Sequence, residues 1–197
     1  MILEGLLTTI NDDGSVNIAP MGPSVDEALR SFLLRPFQTS TSYANLKRTG
    51  QGVFHITDDV EMIAWAAIGV LVPPPPLEPV PAFDGWILSG ACRWYALRVR
   101  RIDDRQERTE IEAEAIDQGR LRDFFGFNRA KHAVLEAAIL ATRIHVLPLA
   151  EIQAEIERLR VPVQKTGGET EQRAFDFLAD YIARAAAQPA DSPELDS

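Results

Sequence analysis

The chain has 197 residues, of which 46% are hydrophobic and 25% are charged, with a formal net charge of −9 at pH 7. This size and composition predict a globular protein with one sizeable core and a small appended unit. An acidic chain lacks the basic footprint that phosphate backbones need, so we expect neither nucleic acid nor an anionic membrane surface as a partner.

The compartment can be predicted from three features. The start of the chain has no basic region before its apolar residues, so we expect no signal peptide. The most apolar run, residues 62–72, is too short to span a bilayer. A single cysteine, Cys92, excludes an intrachain disulfide and fits a reducing compartment. We therefore expect a cytoplasmic protein.

Residues 1–125 have the pattern of a β-rich body. Asp13-Gly14 separates two extended runs and predicts a hairpin. A strand over 31–36, a short helix over 39–49 and a strand over 52–59 follow. Residues 60–72 fit a helix or a strand, and their Ala, Trp and Ile content favours a buried helix. The proline-rich segment 73–83 predicts a stiff loop, because proline cannot donate ladder hydrogen bonds.

Two long strands are predicted over 90–104 and 105–117. In the first, Tyr95, Leu97 and Val99 alternate with Trp94, Ala96 and Arg98. In the second, three glutamates alternate with Ile111, Ala113 and Ala115. Each strand is thus expected to turn one apolar face to the core.

The periodicity changes to helical spacing after Gly126. Two helices are predicted over residues 128–147 and 148–160, and a third within 163–187, after a break at Gly167-Gly168. The predicted domains are therefore a β body at 1–125, a helical domain at 126–187 and a disordered tail at 188–197. Strands followed by helices indicate the α+β class. No GxGxxG follows the first strand, which argues against a Rossmann fold.

The segment Asn17-Ile-Ala-Pro-Met-Gly22 is stiff, nearly apolar and placed at a strand end. Pro20 fixes its own φ and holds Ala19 extended, and Gly22 permits close backbone approach. Such an edge suits a planar heteroaromatic ring that takes hydrogen bonds from the backbone. A tight turn closing one end of a barrel explains the same residues.

The segment Arg35-Pro-Phe-Gln-Thr39-Ser-Thr-Ser42 combines a fixed cation with four hydroxyls at the start of a short helix. Free N–H groups at a helix start favour an anion, and the guanidinium fork suits phosphate. A multiply capped helix beside an exposed arginine is the alternative.

Together, in this order and spacing, the two segments resemble the FMN-binding split-barrel flavoproteins. Residues 52–59, GVFHITDD, continue the likeness. More closely, the chain resembles an uncharacterised archaeal and bacterial branch that carries a C-terminal helical domain, to which Asn128-Arg-Ala130, Glu136 and Thr142-Arg143 correspond. The resemblance extends from about residue 2 to residue 185. It implies a split β-barrel followed by a small helical domain.

The resemblance also implies a cofactor, FMN, and its contacts. The isoalloxazine ring would lie against Asn17, Ala19, Pro20, Met21 and Gly22. The phosphate would be held by Arg35, Thr39, Ser40 and Thr41, whereas Asn45 would hold the turn together. The implied protein is a homodimer with flavin near the subunit interface.

Two functions follow from that resemblance. The first is an oxidoreductase that takes hydride from NAD(P)H and reduces a small acceptor, with the cofactor supplying the chemistry. The second is a non-catalytic FMN-binding or carrier protein. A barrel that has lost its flavin and serves as an interaction protein is a third interpretation.

Other candidate sites are weaker. The three histidines, His55, His132 and His145, are scattered and lack HExxH or CxxC, so no metal site is expected. Cys92 and the three tryptophans fit core positions better than a thiol nucleophile or flavin-stacking partners.

Overall fold

The structure is a computed structural model that describes residues 1–71 and 73–187. The predicted disordered tail, 188–197, lies outside the described residues. The strands are β1 (Gly5–Ile10), β2 (Val16–Met21), β3 (Ser24–Val25), β4 (Ser31–Leu34), β5 (Gln51–Ile56), β6 (Leu77–Pro79), β7 (Trp86–Leu88), β8 (Arg93–Asp103) and β9 (Glu110–Arg120). The helices are α1 (Thr41–Thr49), α2 (Val60–Ala67), α3 (Arg129–Ala141), α4 (Leu149–Thr166) and α5 (Glu169–Ala187).

Seven strands form one antiparallel sheet in the order β2-β1-β5-β8-β9-β4-β3. Ile2, just before β1, forms a β-bridge with Ser24 in β3. This bridge joins the β1 side of the sheet to β3, the terminal strand at the other end. The sheet therefore curls into a half-barrel, in agreement with the split β-barrel that the family resemblance implies. Strand β2 is the terminal strand at one end, with β1 as its partner in the described sheet.

The predicted alternation of β8 separates two cores. Tyr95 and Leu97 lie in the larger core inside the curl, with Phe32, Phe54 and Ile111. Trp94 and Ala96 lie on the opposite face in a second cluster with Val53, Val80 and Ile87. Both faces of β8 are thus buried at its start, which explains the uninterrupted apolar run from Trp94 to Leu97.

The hairpin and the first helix follow their local signals. Gly14 takes a φ of 82° in the β1–β2 turn, a conformation that glycine adopts without steric cost. Ser40 caps the start of α1 by accepting a hydrogen bond from the Tyr43 N–H. Gly50 ends the helix at a φ of 68° and donates to the Leu46 carbonyl.

The proline-rich segment is more structured than its sequence predicts. Leu77–Pro79 form strand β6, which pairs with β7, so the prediction of a stiff loop over 73–83 is wrong for these three residues. A two-stranded sheet leaves an outer edge on each strand, where a missing N–H is tolerated. Cys92 is buried as expected but lies immediately before β8.

The chain divides into two compact units, Met1–Gly126 and the part that begins at Phe127. In the second unit, the buried residues are Ala130, Ala133, Val134, Ala137, Ala138, Ala141, Ile152, Ile156, Val163, Ala174, Phe175, Leu178 and Ile182. Asn128 caps α3 through hydrogen bonds from the N–H groups of Ala130 and Lys131. The predicted break at Gly167-Gly168 separates α4 from α5. Over residues 1–71 and 73–187, none of these helices has the length and apolarity needed to cross a membrane.

Candidate functional site

The predicted ring-binding residues lie on or next to the terminal strand. Asn17, Ala19, Pro20 and Met21 belong to β2, and Gly22 follows it. Although β2 is an edge strand, every residue in it is half-buried. An edge strand presents backbone N–H and C=O groups that its neighbour does not use, and it is also where proline is tolerated in a sheet. The edge therefore offers backbone hydrogen-bonding groups, and Ala19 is the one small side chain of the strand.

Asn17 joins this strand to the start of α1. Its Nδ2 donates to Thr9 Oγ1 in β1 and to Ser42 Oγ in α1, both at 3.1 Å. Thr9 and Ser42 are each only 3% exposed. Because buried polar groups are costly unless they are paired, this three-way contact fixes the distance between β2 and the helix start. The two segments that the sequence singled out are thereby brought together.

Asn45 extends the same network from the next turn of α1. Its Nδ2 donates to Thr9 Oγ1 at 3.0 Å and to Asn11 Oδ1 at 2.8 Å, and the side chain is buried. These bonds give Asn45 a role in holding the helix against the hairpin. The sequence did not reveal Thr9 and Asn11, because nothing marks a strand threonine or a turn asparagine as a partner of a helix residue 36 or 34 positions away.

The predicted phosphate-binding residues surround the start of α1. The Ser40 hydroxyl accepts from Tyr43 N–H at 3.2 Å and donates to the Phe37 carbonyl at 2.8 Å. Thr39 and Thr41 are exposed, and no hydrogen bond of their hydroxyls is described within residues 1–71 and 73–187. The first N–H groups of a helix point outward from its start. Ser40 thus acts as the cap, and the threonines flank the open end.

Arg35 follows β4 and its side chain is 47% exposed. Its Nη2 donates to Glu110 Oε1 of β9 at 3.0 Å. The guanidinium has five donor hydrogens, so this bond leaves most of them available. The sequence did not reveal Glu110 as the partner of Arg35, because 75 residues separate the two.

The loop before α1 is held by the connection between β8 and β9. Gln38 donates through Nε2 to the carbonyls of Asp104 and Gln106, at 2.6 and 2.9 Å. Asp104 also accepts from Tyr43 and Lys47, at 2.7 and 2.8 Å. Hydrogen bonds from Lys47 and Tyr43 lower the pKa of Asp104, and the bond to Asp104 raises that of Lys47. The helix start is therefore anchored on two sides, by Asn17 and by this connection.

His55 and Cys92 occupy the interior and not the candidate site. His55 is fully buried; its Nδ1 lies 3.3 Å from the Leu6 carbonyl, and its Nε2 accepts from Leu88 N–H at 3.1 Å. Burial lowers the pKa of His55 to about 4, so the ring is neutral and links β1, β5 and β7. Burial also raises the pKa of the Cys92 thiol, which is typical of an unreactive core cysteine. No group of metal-ligating side chains was found within the described ranges.

A cleft borders the candidate site at Thr9, the residue that accepts a hydrogen bond from Asn17. It has a volume of about 150 Å³ between β1, β5 and residues 83–86, and none of the nine predicted site residues lines it. The candidate site is instead the terminal strand β2 beside the start of α1.

The sequence matches a described family over nearly its whole length. Residues 3–122 match the N-terminal domain of a protein of unknown function, DUF447, and residues 128–180 match the following DUF447 domain. The chain belongs to the DUF447 family. No curated protein matches the sequence.

Solved structures support the split-barrel fold. An FMN-bound DUF447 protein from Methanosarcina mazei aligns with a TM-score of 0.79 and 21% identity, over 93% of this chain and 94% of that one. The flavin reductase of styrene monooxygenase from Pseudomonas putida S12 aligns at 0.51 and 14% identity, over 61% of this chain and 82% of that one. An NADH:FAD oxidoreductase from Streptomyces globisporus aligns at 0.52 and 10%, over 60% and 74%. The predicted split β-barrel with C-terminal helices is confirmed.

Proposed function

We propose that this DUF447 protein binds FMN between the edge of β2 and the start of α1, and that the bound flavin serves an oxidoreductase reaction on a small molecule. The observation that carries the proposal is the Asn17–Ser42 hydrogen bond, which unites the two predicted half-sites. The likeness to an FMN-bound protein over 93% of the chain supports the choice of ligand.

The start of α1 suits the phosphate of FMN. Its outermost N–H groups are available for an anion, and the helix dipole favours negative charge there. The exposed hydroxyls of Thr39 and Thr41 and the Arg35 guanidinium add donors of the kind that phosphate accepts. Ser40 would contribute by keeping the helix start in shape, since its hydroxyl already has two partners.

The edge of β2 suits the flavin ring. The segment from Asn17 to Gly22 contains no charged side chain of its own, so an apolar ring face over Ala19 and Pro20 would meet no ion of the segment. A Cβ atom on Gly22 would lie 2.9 Å from the carboxylate oxygens of Glu4, so glycine leaves little spare room there. Backbone groups of the edge would fix the orientation of the ring.

FMN, when bound, supplies hydride and electron transfer. The residues of the chain have the tasks of binding and orientation: Asn17 holds the strand to the helix, and Arg35 with the helix start neutralises the phosphate. No residue of the ring-binding segment itself is ionisable, and the Glu4 carboxylate lies beside its last residue, Gly22. The electron donor we propose is NADH or NADPH.

We also propose that the protein is a homodimer with the flavin near the subunit interface. The half-buried terminal strand supports this arrangement, because a partner that covers β2 would enclose a ring lying on it. Light scattering after gel filtration measures the mass directly. A mass of one chain, about 22 kDa, would contradict the homodimer.

A flavin titration tests the function. We expect the purified protein to quench FMN fluorescence with saturation at one flavin per chain, and to carry flavin absorbance bands after gel filtration. A protein that stays colourless and does not quench FMN would contradict the proposal. Anaerobic mixing of the FMN-loaded protein with NADH or NADPH then separates enzyme from carrier, since only an oxidoreductase would bleach the flavin bands.

A further inference from the structure

A second cleft lies at one end of the β8–β9 hairpin, remote in sequence from the proposed flavin contacts. Its volume is about 260 Å³, and it is lined by Arg93, Tyr95, Gln118, Gly119 and Arg120. The volume exceeds that of a carboxylate or phosphate group, and the lining contains two guanidinium groups, a phenol and an amide. These groups make the cleft rich in hydrogen-bond donors.

The two arginines face each other. Arg93 in β8 pairs directly with Arg120 in β9, so their side chains leave the sheet on the same face. Like charges at directly opposed positions of an antiparallel pair are destabilising. Arg120 is paired with Asp123, whereas no ion pair of Arg93 is described over residues 1–71 and 73–187. Both arginines are exposed to solvent, and a bound anion would offset the repulsion between them.

Tyr95 contributes from the core side. Its side chain is 2% exposed and its ring packs against Phe32 at a centroid distance of 5.5 Å. Within the described ranges, every fully buried side-chain oxygen or nitrogen has a hydrogen-bond partner. No hydrogen bond of the Tyr95 hydroxyl is described there, so this oxygen is not fully buried. The hydroxyl therefore opens on the cleft, held there by a rigid buried ring.

A β-bulge places the residues of β9. The register shifts between Ala96 and Leu97 of β8, so that Ile116 is an extra residue in β9. Without the bulge, Asp117 would pair with Tyr95 and lie on the same face of the sheet. With the bulge, Gln118 pairs with Tyr95 and Arg120 pairs with Arg93, so these two residues lie on that face instead. The bulge thus exchanges an acidic side chain for an amide and a cation at the cleft. Such irregularities are common beside binding sites.

We propose that Arg93, Tyr95, Gln118 and Arg120 form a binding subsite for the oxyanion of a small molecule, a carboxylate or a phosphate monoester. Arg93 would bind two oxygens through its planar fork, and Tyr95 and Gln118 would donate to the same group. The proposal does not depend on FMN binding, because none of these residues belongs to the proposed flavin contacts.

An amide NMR titration of the full chain tests this subsite, with inorganic phosphate and benzoate as separate probes. We expect the amide signals of residues 93–95 and 118–120 to shift with saturation, and the probe with the lower Kd identifies the class of oxyanion. Arg93→Gln should weaken that binding at least fivefold, and Arg120→Gln should weaken it as well.

Arg98→Gln is the matched control. Arg98 lies on the same strand and is exposed, but it shares the opposite face with Trp94 and Ala96. This variant loses the same charge and should change the Kd less than twofold. Equal weakening by Arg98→Gln and Arg93→Gln would mean a diffuse charge effect and would overturn the proposal. Shifts confined to residues 35–41, or no shift at 93–95 and 118–120 with either probe, would overturn it too.

Discussion

Replacing Arg35 with alanine tests the proposed phosphate contact. In the free protein this side chain is 47% exposed and makes one hydrogen bond, at 3.0 Å, to Glu110. An exposed ion pair of this kind contributes about 0 to 1 kcal/mol, so Arg35→Ala should fold with nearly unchanged stability. The variant therefore probes binding without disturbing the fold.

The expected loss of FMN affinity follows from the kind of bond removed. A hydrogen bond to a charged group contributes about 1.5–3 kcal/mol, which corresponds to a rise in Kd of about 10- to 150-fold. Because water reaches half of the side chain, we expect the lower part of that range. Fluorescence titration of FMN with wild type and variant measures the ratio, and urea unfolding checks that stability is retained.

Glu110→Gln provides the control for the same contact. It removes the negative charge that competes with phosphate for Arg35, so FMN affinity should stay equal or increase. An Arg35→Ala Kd within twofold of wild type would refute the phosphate assignment. Equal weakening by both variants would show that Arg35 acts through its bond to Glu110.

Three further predictions concern neighbouring positions. Asn17→Ala should destabilise the fold by about 1–3 kcal/mol in urea unfolding, because it removes two hydrogen bonds and leaves the buried Ser42 hydroxyl without its donor, while Thr9 keeps the bond from Asn45. Gly22→Ala should fold, because the Glu4 side chain can move away from the added methyl group. Gly22→Val should block FMN binding, because the larger side chain crowds the edge where the ring is proposed to lie. Normal FMN binding by the Val variant would mean that the ring lies elsewhere. The pKa of His55 is about 4 in the folded protein and about 6.5 in the unfolded chain, so the unfolded state binds more protons between these values. The free energy of unfolding should therefore fall by about 2 kcal/mol between pH 7.5 and pH 5. The control His132→Gln, at an exposed histidine, should show the same fall.

Local signals in the sequence predicted most of the elements. The Asp13-Gly14 turn, the Ser40 cap and Gly50 each act within a few residues, and the structure has the hairpin and helix where these signals put them. The burial of opposite faces of β8 follows in the same way from the strict alternation of its side chains. Strand β6 was not predicted, because its proline-rich sequence does not indicate a strand and its pairing depends on β7.

The sequence predicted the two segments of the candidate site, residues 17–22 and 35–42, but not the contact between them. Each half has a local sequence pattern, but the contact between Asn17 and Ser42 depends on how the hairpin packs on the helix. The bond from Arg35 to Glu110 joins β4 to β9, and no short-range pattern encodes a partner 75 residues away. The bulge at Ile116 is likewise invisible in a sequence that alternates on both sides of it.

The burial of Cys92 has a practical consequence for measuring the protein in solution. Its thiol is the only one in the chain, is 1% exposed and has a raised pKa, so maleimide reagents will react with it slowly. Cysteines introduced at exposed positions, such as Ala28→Cys in the first unit and Ala154→Cys in α4, can then be labelled selectively. The native background is therefore suited to spin-label or fluorophore distance measurements between the two units, with and without added FMN.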